Sequence, residues 1–228
     1  MFILRCFYFL WFIPSSFIAV LRVRSQTFEV RYALIAKYAK KLLRVFRVTL
    51  ETSQAEELPT DCPILFISNH QSEFDMLIQI ASIQTPYTFI SKIENENMPY
   101  IGSVSKTLEV IFFDREDRSS SIHMLRESAR RLKKKDNLLI YPEGTRSKGV
   151  AMNTMQAGSI QPAYMAKATI VPMVLVNSYD YKKVMMKQGT FQMKLLKPIA
   201  YESYKSLKAE ELIVQLQQTM QQEIDKKS

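Results

Sequence analysis

Histidine, cysteine and glycine are scarce in this chain, with two, two and five copies among 228 residues. The two cysteines, Cys6 and Cys62, are too few for a disulfide framework, which fits a domain in a reducing compartment. The two histidines, His70 and His123, do not support a metal site at their spacing. With few glycines and no Ser/Gly-rich run, the chain offers no flexible linker and no repeat array.

Several common catalytic motifs are also missing. The sequence contains neither G-x-S-x-G nor H-E-x-x-H, which excludes a nucleophilic serine elbow and a zinc-protease helix. Gly144 and Gly149 have the spacing of a phosphate-binding P-loop, but Val150 and Ala151 follow where that loop needs Lys and Ser or Thr. A general base and anion-binding groups are the chemistry that remains.

Charge is distributed unevenly along the chain, whose net charge is +9. Residues 1–50 hold nine basic residues against one acid, whereas the other 178 residues are almost neutral, with 22 basic and 21 acidic groups. The basicity therefore belongs to an N-terminal appendage, and we expect no nucleic-acid partner. At this length we predict two parts, an N-terminal hydrophobic and basic anchor at 1–55 and one main domain at 56–228.

The N-terminal segment indicates contact with membrane lipids. Residues 6–21 carry no charge, but sixteen residues with Pro14 among them are fewer than the about 20 that cross a bilayer. The segment fits an interfacial or re-entrant anchor as well as a span. A cleaved signal peptide is the alternative, although no small-x-small cleavage site follows the apolar run.

A basic helix is predicted from Phe28 to Leu50, where apolar residues recur at three- and four-residue steps. Such a helix suits an anionic bilayer surface. The alternative is a helix packed on its own domain with a solvated basic face. Basic residues that follow a membrane segment place the rest of the chain on the cytoplasmic side, so we expect a membrane-associated protein whose main domain faces the cytoplasm.

Strand and helix patterns alternate through the rest of the chain. Strands are predicted at 63–68, 87–91, 109–113, 137–141, 169–176 and 191–197, and helices at 73–84, 120–135, 158–167 and 206–225. Alternation of this kind predicts an α/β fold with a mostly parallel or mixed sheet flanked by helices.

His70 and Asp75 are the best candidates for catalytic residues. His70 follows the predicted strand 63–68, and Asp75 lies in the first turn of the next predicted helix. Across such a turn the carboxylate can reach one ring nitrogen and leave the other free as a base. The alternative is a satisfied polar histidine near a helix start. His123 falls on the polar face of helix 120–135, where we expect it to be solvated.

Two arginines follow other predicted strands and provide candidate anion-binding groups. Arg115 comes after strand 109–113, and Arg146 closes the run that begins at Glu143 after strand 137–141. Strand ends meet at one sheet edge in α/β folds, and guanidinium groups bind phosphate through two hydrogen bonds. Gly144 would let the backbone approach a ligand, and Thr145 adds a hydroxyl donor. The alternative is an ordinary polar turn and a surface ion-pair run.

With these residues in view, the chain resembles the glycerolipid acyltransferase family, whose members include lysophosphatidic acid acyltransferases and glycerol-phosphate acyltransferases. Four blocks carry the resemblance in order: the H-x4-D block at 69–75, the F-x-D-R-like block at 112–115, the E-G-T-R block at 143–146, and Ile170-Val171-Pro172.

The resemblance implies that His70 is the general base, that Asp75 orients it, and that the acceptor is bound by Arg115, Glu143, Gly144, Thr145 and Arg146. It implies that 56–228 is an acyltransferase domain without cofactor or metal. The acyl donor would be acyl-CoA or acyl carrier protein. The acceptor would be a lysophospholipid, with lysophosphatidic acid as the one that the resemblance favours. Backbone N–H groups near His70 or Gly144 are candidates to stabilise the oxyanion.

Two alternatives stay open. A different lysolipid or glycerol 3-phosphate as acceptor would keep the chemistry and change the product. A non-catalytic membrane-surface binding protein would explain the basic N-terminus but would give His70, Asp75 and the block at 143–146 no role.

Overall fold

The computed structural model describes residues 2–54 and 56–226, with side chains from residue 11 onward, so the side chain of Cys6 lies outside the described part. The strands are β1 Thr49–Gln54, β2 Ile64–Ser68, β3 Thr88–Lys92, β4 Ile111–Phe113, β5 Leu138–Ile140, β6 Thr169–Val176 and β7 Thr190–Leu195. The helices are α1 Phe2–Val23, α2 Phe28–Val45, α3 Asp75–Ser82, α4 Pro99–Thr107, α5 Arg118–Lys133, α6 Gln161–Ala166, α7 Tyr181–Met186, α8 Tyr201–Tyr204 and α9 Ala209–Asp225.

The strands form one seven-stranded sheet in the order β1-β7-β6-β2-β5-β3-β4. Strands β6, β2, β5, β3 and β4 run parallel, β7 is antiparallel to β6, and β1 is parallel to β7. The prediction of an α/β fold with a mixed, mostly parallel sheet flanked by helices is confirmed. Strand β2 lies at the centre and is buried along its whole length, as a parallel strand covered on both faces should be.

Helices cover both faces of the sheet because alternate residues of the central strands point to opposite sides. On one face, Phe66 of β2 belongs to a core with Tyr32 of α2 and Ile78 of α3. On the other face, Leu65 packs in a core with Leu132 of α5 and Leu212 of α9. Two hydrophobic layers therefore hold β2 fixed and with it the loop that follows.

The predicted helix 28–50 was wrong at its end. Helix α2 stops at Val45, Arg47 takes the left-handed conformation with φ 56°, and Thr49 already begins β1. The predicted helix 158–167 is a 3-10 turn at Ala157–Ile160 followed by α6. Strand β1, helix α4 and the short helices α7 and α8 were not predicted.

The N-terminal helices pack on the sheet domain. Tyr32 is buried and its hydroxyl donates to the carbonyl of Ile83 at 3.1 Å. Arg24, although exposed, donates hydrogen bonds to the side chains of Ser103 and Thr107 of α4.

Arg31 points inward, with 12% of its side chain exposed, and pairs with Glu109 at 2.5 Å. It is therefore not available to an anionic surface, contrary to the expectation for the basic helix. Searched over its described residues, the chain contains no helix both long and apolar enough to span a bilayer. The division at residue 55 stays a prediction, although β1 at 49–54 already belongs to the sheet.

Candidate active site

The candidate site lies at the carboxyl ends of the three central parallel strands. His70 follows β2, Tyr141 and Glu143 follow β5, and Ser178 follows β6. Because these strands are parallel neighbours, the segments that leave them meet at one sheet edge. Asn69 ties the first loop to β6, since its side-chain amide exchanges two hydrogen bonds with the backbone of Leu175 at 2.8 and 2.9 Å.

Asp75 reaches back across the turn to His70, with Oδ2 2.7 Å from Nδ1. An ionised carboxylate only accepts hydrogen bonds, so Nδ1 carries the proton and Nε2 keeps a lone pair. The Asp75 side chain is fully buried, whereas 19% of the His70 side chain is exposed. A base with this geometry has one nitrogen fixed and the other available to a substrate.

The Asp75 carboxylate is fully satisfied by the turn that it closes. Oδ2 also accepts from the backbone N–H groups of Gln71 and Ser72 at 2.6 and 3.0 Å, and Oδ1 accepts from the Ser72 hydroxyl at 3.0 Å. These four contacts explain how a charged group is tolerated in a buried position. They also leave the carboxylate a single position, which fixes the His70 ring.

Tyr141 forms one wall of the site by stacking on His70, with ring centroids 4.1 Å apart and planes at 21°. Burial raises the pKa of Tyr141 well above its ordinary value. The phenol therefore stays protonated and donates to Oε1 of Gln79 at 2.5 Å. The ring of the candidate base is thus held from its side as well as through Nδ1.

Glu143 fastens two loops together from a buried position. One oxygen accepts from the backbone N–H of His70 at 2.7 Å and the other from that of Asn153 at 2.6 Å. Burial raises the pKa of Glu143, and the two backbone hydrogen bonds offset part of that rise. With both oxygens occupied, the contacts of Glu143 are structural, and acceptor binding by this residue stays a prediction.

Gly144 and Thr145 form the exposed tip of the same loop. Gly144 has φ 69°, a conformation that favours glycine, and its N–H donates to the carbonyl of Tyr141 at 3.0 Å. Ser147 then donates its backbone N–H to the carbonyl of His70 at 2.7 Å. The tip between these two anchors lies next to the candidate base.

Arg146 points to the rim of the site, where it meets Glu73. Its Nη1 lies 2.7 Å from one Glu73 oxygen, and the Tyr181 hydroxyl donates to the other at 3.0 Å. Tyr181 stacks on Phe74 with ring centroids 4.4 Å apart. The pair is exposed, with 39% of the Arg146 side chain and 55% of the Glu73 side chain accessible.

Arg115 is the one predicted site residue that the structure keeps apart from the others. It is exposed after β4, three strand positions from β2 in the sheet order, which is about 14 Å at the usual strand spacing. Among the described residues, no hydrogen bond or ion pair joins Arg115 to the loops around His70.

Four backbone N–H groups close to the candidate base already have acceptors. The N–H groups of His70, Gln71 and Ser72 donate to Glu143 or Asp75, and that of Gly144 donates to Tyr141. These four N–H groups are therefore not free, and an oxyanion site made of other N–H groups near His70 or Gly144 stays a prediction.

The other histidine and the possible metal ligands were also compared with the sequence predictions. His123 is exposed on α5, as expected. Within the described part of the chain, no group of three or more His, Cys, Asp or Glu side chains could hold a metal ion.

Sequence reasoning missed the residues that support the base, and a signal was present for two of them. Tyr141 directly follows an apolar strand that borders the site, and Asn69 precedes His70 in the sequence. Gln79 and Tyr181 gave no comparable signal, because their roles depend on contacts 62 and 108 residues away.

A family model described as acyltransferase matches residues 49–176, more than half of the chain. The matched range includes β1 through β6 and every candidate site residue named above except Ser178 and Tyr181. The chain belongs to the acyltransferase family.

Individual relatives carry more specific names. The chain is 26% identical over 158 residues to a probable 1-acyl-sn-glycerol-3-phosphate acyltransferase from Mycoplasma pneumoniae, an alignment that covers 67% of this chain and 59% of that protein. It is 28% identical over 162 residues to 1-acyl-sn-glycerol-3-phosphate acyltransferase alpha from Homo sapiens, covering 69% and 57% of the two chains. The chain therefore spans less than two thirds of the length of these relatives.

A solved structure shares the whole fold. The 1-acyl-sn-glycerophosphate acyltransferase PlsC from Thermotoga maritima superposes with a TM-score of 0.79, covering 98% of this chain and 95% of that one at 22% identity. The likeness extends over the N-terminal helices as well as the sheet domain.

Proposed function

We propose that this protein transfers a fatty acyl group from a thioester donor, acyl-CoA or acyl carrier protein, to the free hydroxyl of lysophosphatidic acid, which yields phosphatidic acid. The observation that carries the proposal is the His70–Asp75 pair, with Nδ1 fixed and Nε2 free at the edge of the sheet. The names of the relatives support the choice of acceptor.

In the proposed mechanism, His70 Nε2 takes the proton of the acceptor hydroxyl while the oxygen attacks the thioester carbonyl carbon. The tetrahedral intermediate then collapses, the carbon–sulfur bond breaks, and the protonated imidazole returns its proton to the departing thiolate. The products are an ester and a thiol, and no covalent enzyme intermediate forms. Asp75 stabilises the imidazolium that exists between the two steps.

The oxyanion of that intermediate needs hydrogen-bond donors close to His70. In the described structure the backbone N–H groups of Thr145 and Arg146 have no acceptor, unlike those of Gly144 and Ser147 on either side. We assign the oxyanion to this pair of N–H groups, on the loop tip that Ser147 ties to His70.

The acceptor's phosphate is assigned to Arg146. A phosphate monoester is a stronger acceptor of charge-assisted hydrogen bonds than an exposed carboxylate, and a guanidinium presents two parallel donors to it. Arg115 follows β4, three strand positions from β2, and its part in acceptor binding rests on the family resemblance alone.

The proposal is tested by product mass measurement. Purified protein receives each thioester donor with a panel of lysophosphatidic acid, lysophosphatidylcholine and glycerol 3-phosphate. We expect phosphatidic acid to dominate, and we expect His70→Ala to abolish its formation while folding is retained. Near-normal turnover by His70→Ala would refute the mechanism, and a preference for another acceptor would refute the substrate.

Membrane association is part of the same proposal, since the acceptor is a lipid. Helix α1 packs Phe12, Ser16 and Val20 against the protein and exposes Trp11 and Ile18, which lie two turns apart on one face. An apolar face turned to solvent is typical of a membrane or protein contact. We propose that this face enters the bilayer surface, with the sheet domain on the cytoplasmic side.

Substitution tests this contact better than deletion, because removal of α2 would uncover the core around Tyr32. Trp11→Asp with Ile18→Asp should weaken binding to vesicles of phosphatidylcholine and phosphatidylglycerol by at least about tenfold, given about 1.5–3 kcal/mol for each buried apolar side chain. Val214→Asp on α9 is the matched control, since Val214 is also an exposed apolar residue. Equal sedimentation of all three proteins would place the anchor elsewhere.

A further inference from the structure

Glu73 is an acidic residue placed where an anionic acceptor has to bind. It lies between His70 and Asp75 in the turn that carries the candidate base, and its carboxylate points to the rim. Hydrogen bonds from its own backbone N–H, from Tyr181 and from Arg146 lower the pKa of Glu73 below its ordinary value. The Glu73 carboxylate is therefore ionised at neutral pH. It accepts a hydrogen bond from Arg146, the residue proposed to bind the phosphate of the acceptor.

The pair bridges the two loops of the site. Arg146 precedes Ser147, whose N–H donates to the His70 carbonyl, while Glu73 follows His70 by three residues. The two oxygens of Glu73 have different partners, Arg146 at 2.7 Å and Tyr181 at 3.0 Å. If Arg146 left Glu73 to bind another anion, the hydrogen bond from Tyr181 would still hold the Glu73 carboxylate at the rim.

We infer that Glu73 is an internal anion that occupies Arg146 in the empty site and exchanges with the phosphate of the acceptor and, after acyl transfer, of the product. The inference rests on the proposed function, in which Arg146 binds that phosphate. Glu73 keeps the guanidinium at the rim before the acceptor arrives. It also returns to Arg146 as the product leaves, which limits retention of phosphatidic acid.

The strengths of the two interactions allow the exchange. Ion pairs between exposed side chains are weak, and the Glu73–Arg146 pair is exposed on both sides. A doubly charged phosphate forms shorter and stronger hydrogen bonds with the same guanidinium. The phosphate monoester therefore displaces Glu73 at a small cost. A phosphodiester with one charge has a smaller advantage over the carboxylate.

The primary test is Glu73→Gln, which keeps the shape of the side chain and removes its charge. We expect KM for lysophosphatidic acid and the inhibition constant of phosphatidic acid to fall together by about two- to fivefold, which corresponds to about 0.4–1 kcal/mol at 1.4 kcal/mol per tenfold. The fall in KM should be smaller when lysophosphatidylcholine is the acceptor.

The control is Glu202→Gln, which removes an exposed carboxylate of similar type, paired with Lys205 on α8. Helix α8 lies at the opposite edge of the sheet, where the Tyr204 hydroxyl donates to the carbonyl of Ala168 just before β6 begins. Neither constant should change in this variant. A higher KM in Glu73→Gln would overturn the inference, because it would mean that Glu73 only orients Arg146 for the phosphate.

A binding experiment separates this inference from the proposed function. Dodecyl phosphate has a phosphate monoester but no hydroxyl to acylate, and dodecylphosphocholine masks the same phosphate. By calorimetry we expect Glu73→Gln to lower the Kd of dodecyl phosphate more than the Kd of dodecylphosphocholine. The same change made in an Arg146→Ala background should have no effect on either.

Each outcome of the binding experiment has one meaning. If wild-type protein fails to acylate lysophosphatidic acid but shows this pattern of binding, the proposed substrate is wrong and the exchange stands. If Glu73→Gln changes dodecyl phosphate binding equally with and without Arg146, Glu73 acts through its general field and the exchange is refuted.

Discussion

Two glutamates flank the same histidine, yet their environments shift their pKa values in opposite directions. Glu143 is buried behind His70, and burial raises its pKa. Glu73 is exposed at the rim, and its hydrogen-bond donors lower its pKa. Both oxygens of Glu143 accept hydrogen bonds from backbone N–H groups, whereas Glu73 pairs with the exposed guanidinium of Arg146, which we infer exchanges with a ligand. The site therefore combines a fixed inner half with an exchangeable outer half.

The largest expected effect lies in the inner half, at Asp75. Asp75→Asn replaces an oxygen that accepts three hydrogen bonds and permits the wrong tautomer of His70. A comparable change in the serine-protease triad lowers kcat on the order of 10⁴, and we expect a loss of similar size here. Steady-state rates with lysophosphatidic acid, together with circular dichroism for folding, measure it. A loss below tenfold would show that the inner half does not orient a base.

The next effect lies in the outer half, at Arg146. Removal of one charge-assisted contact costs about 1.5–3 kcal/mol, so Arg146→Ala should lower kcat/KM for lysophosphatidic acid by about 10- to 100-fold. Arg146→Lys should recover only part of the loss, since an ammonium lacks the planar fork. Lysophosphatidylcholine is the parallel acceptor. Equal losses for both acceptors would mean that Arg146 does not bind the phosphate.

A smaller effect is expected on stability, where Gln variants of Glu143 and Glu73 can be compared directly. Glu143→Gln leaves one oxygen for two backbone donors, so we expect unfolding free energy to fall by about 1–3 kcal/mol in urea denaturation. Glu73→Gln should change it by less than about 1 kcal/mol, because its ion pair is exposed. Equal losses in the two variants would contradict the division into a fixed and an exchangeable half.

The smallest effect is a difference in pH dependence. The pKa of Glu73 is lowered, so its contribution to stability is present above the usual value of 4.5 and is lost as pH falls through the folded-state value. The pKa of Glu143 is raised, so its contribution is complete below 4.5 and declines as pH rises through the folded-state value. Carboxyl NMR titration of wild type and both Gln variants should show the two transitions on opposite sides of 4.5.

Much of the central sheet could be predicted because its strands are buried on both faces. Strand β6 is buried at every position, and its bounds at 169–176 match the apolar run in the sequence. Strand β1 was missed because five of its six residues are exposed, so neither an apolar run nor alternation marks it. Pairing with β7 makes it a strand, and that information lies in a distant part of the chain.

Helix α4 was missed for a different reason. It contains Gly102 and several Ser and Thr residues, which favour helices weakly. The surrounding structure stabilises it instead: Gly102 packs so close to the carbonyl of Glu96 that a Cβ would lie 2.1 Å from that oxygen, and Arg24 binds its last turns. Such contacts leave no periodic pattern.

In the site, the sequence indicated the His70–Asp75 contact because both residues belong to one short turn. The outer half could not be predicted in the same way. Arg146 and Glu73 are 73 residues apart, and each is an ordinary exposed charge in the sequence. Their meeting depends on the parallel arrangement of β2 and β5, which brings the two loops together.

The sheet order also determines when β1 can find its partner strand during synthesis of the chain. Strand β1 pairs with β7, and the residues that face each other, such as Thr49 and Thr190, are 141 positions apart. At about 5–20 residues per second, a ribosome needs roughly 7–30 s to deliver the partner of β1. Throughout that interval β1 lacks its partner strand, so the β1 edge of the sheet can form only after most of the chain has been made.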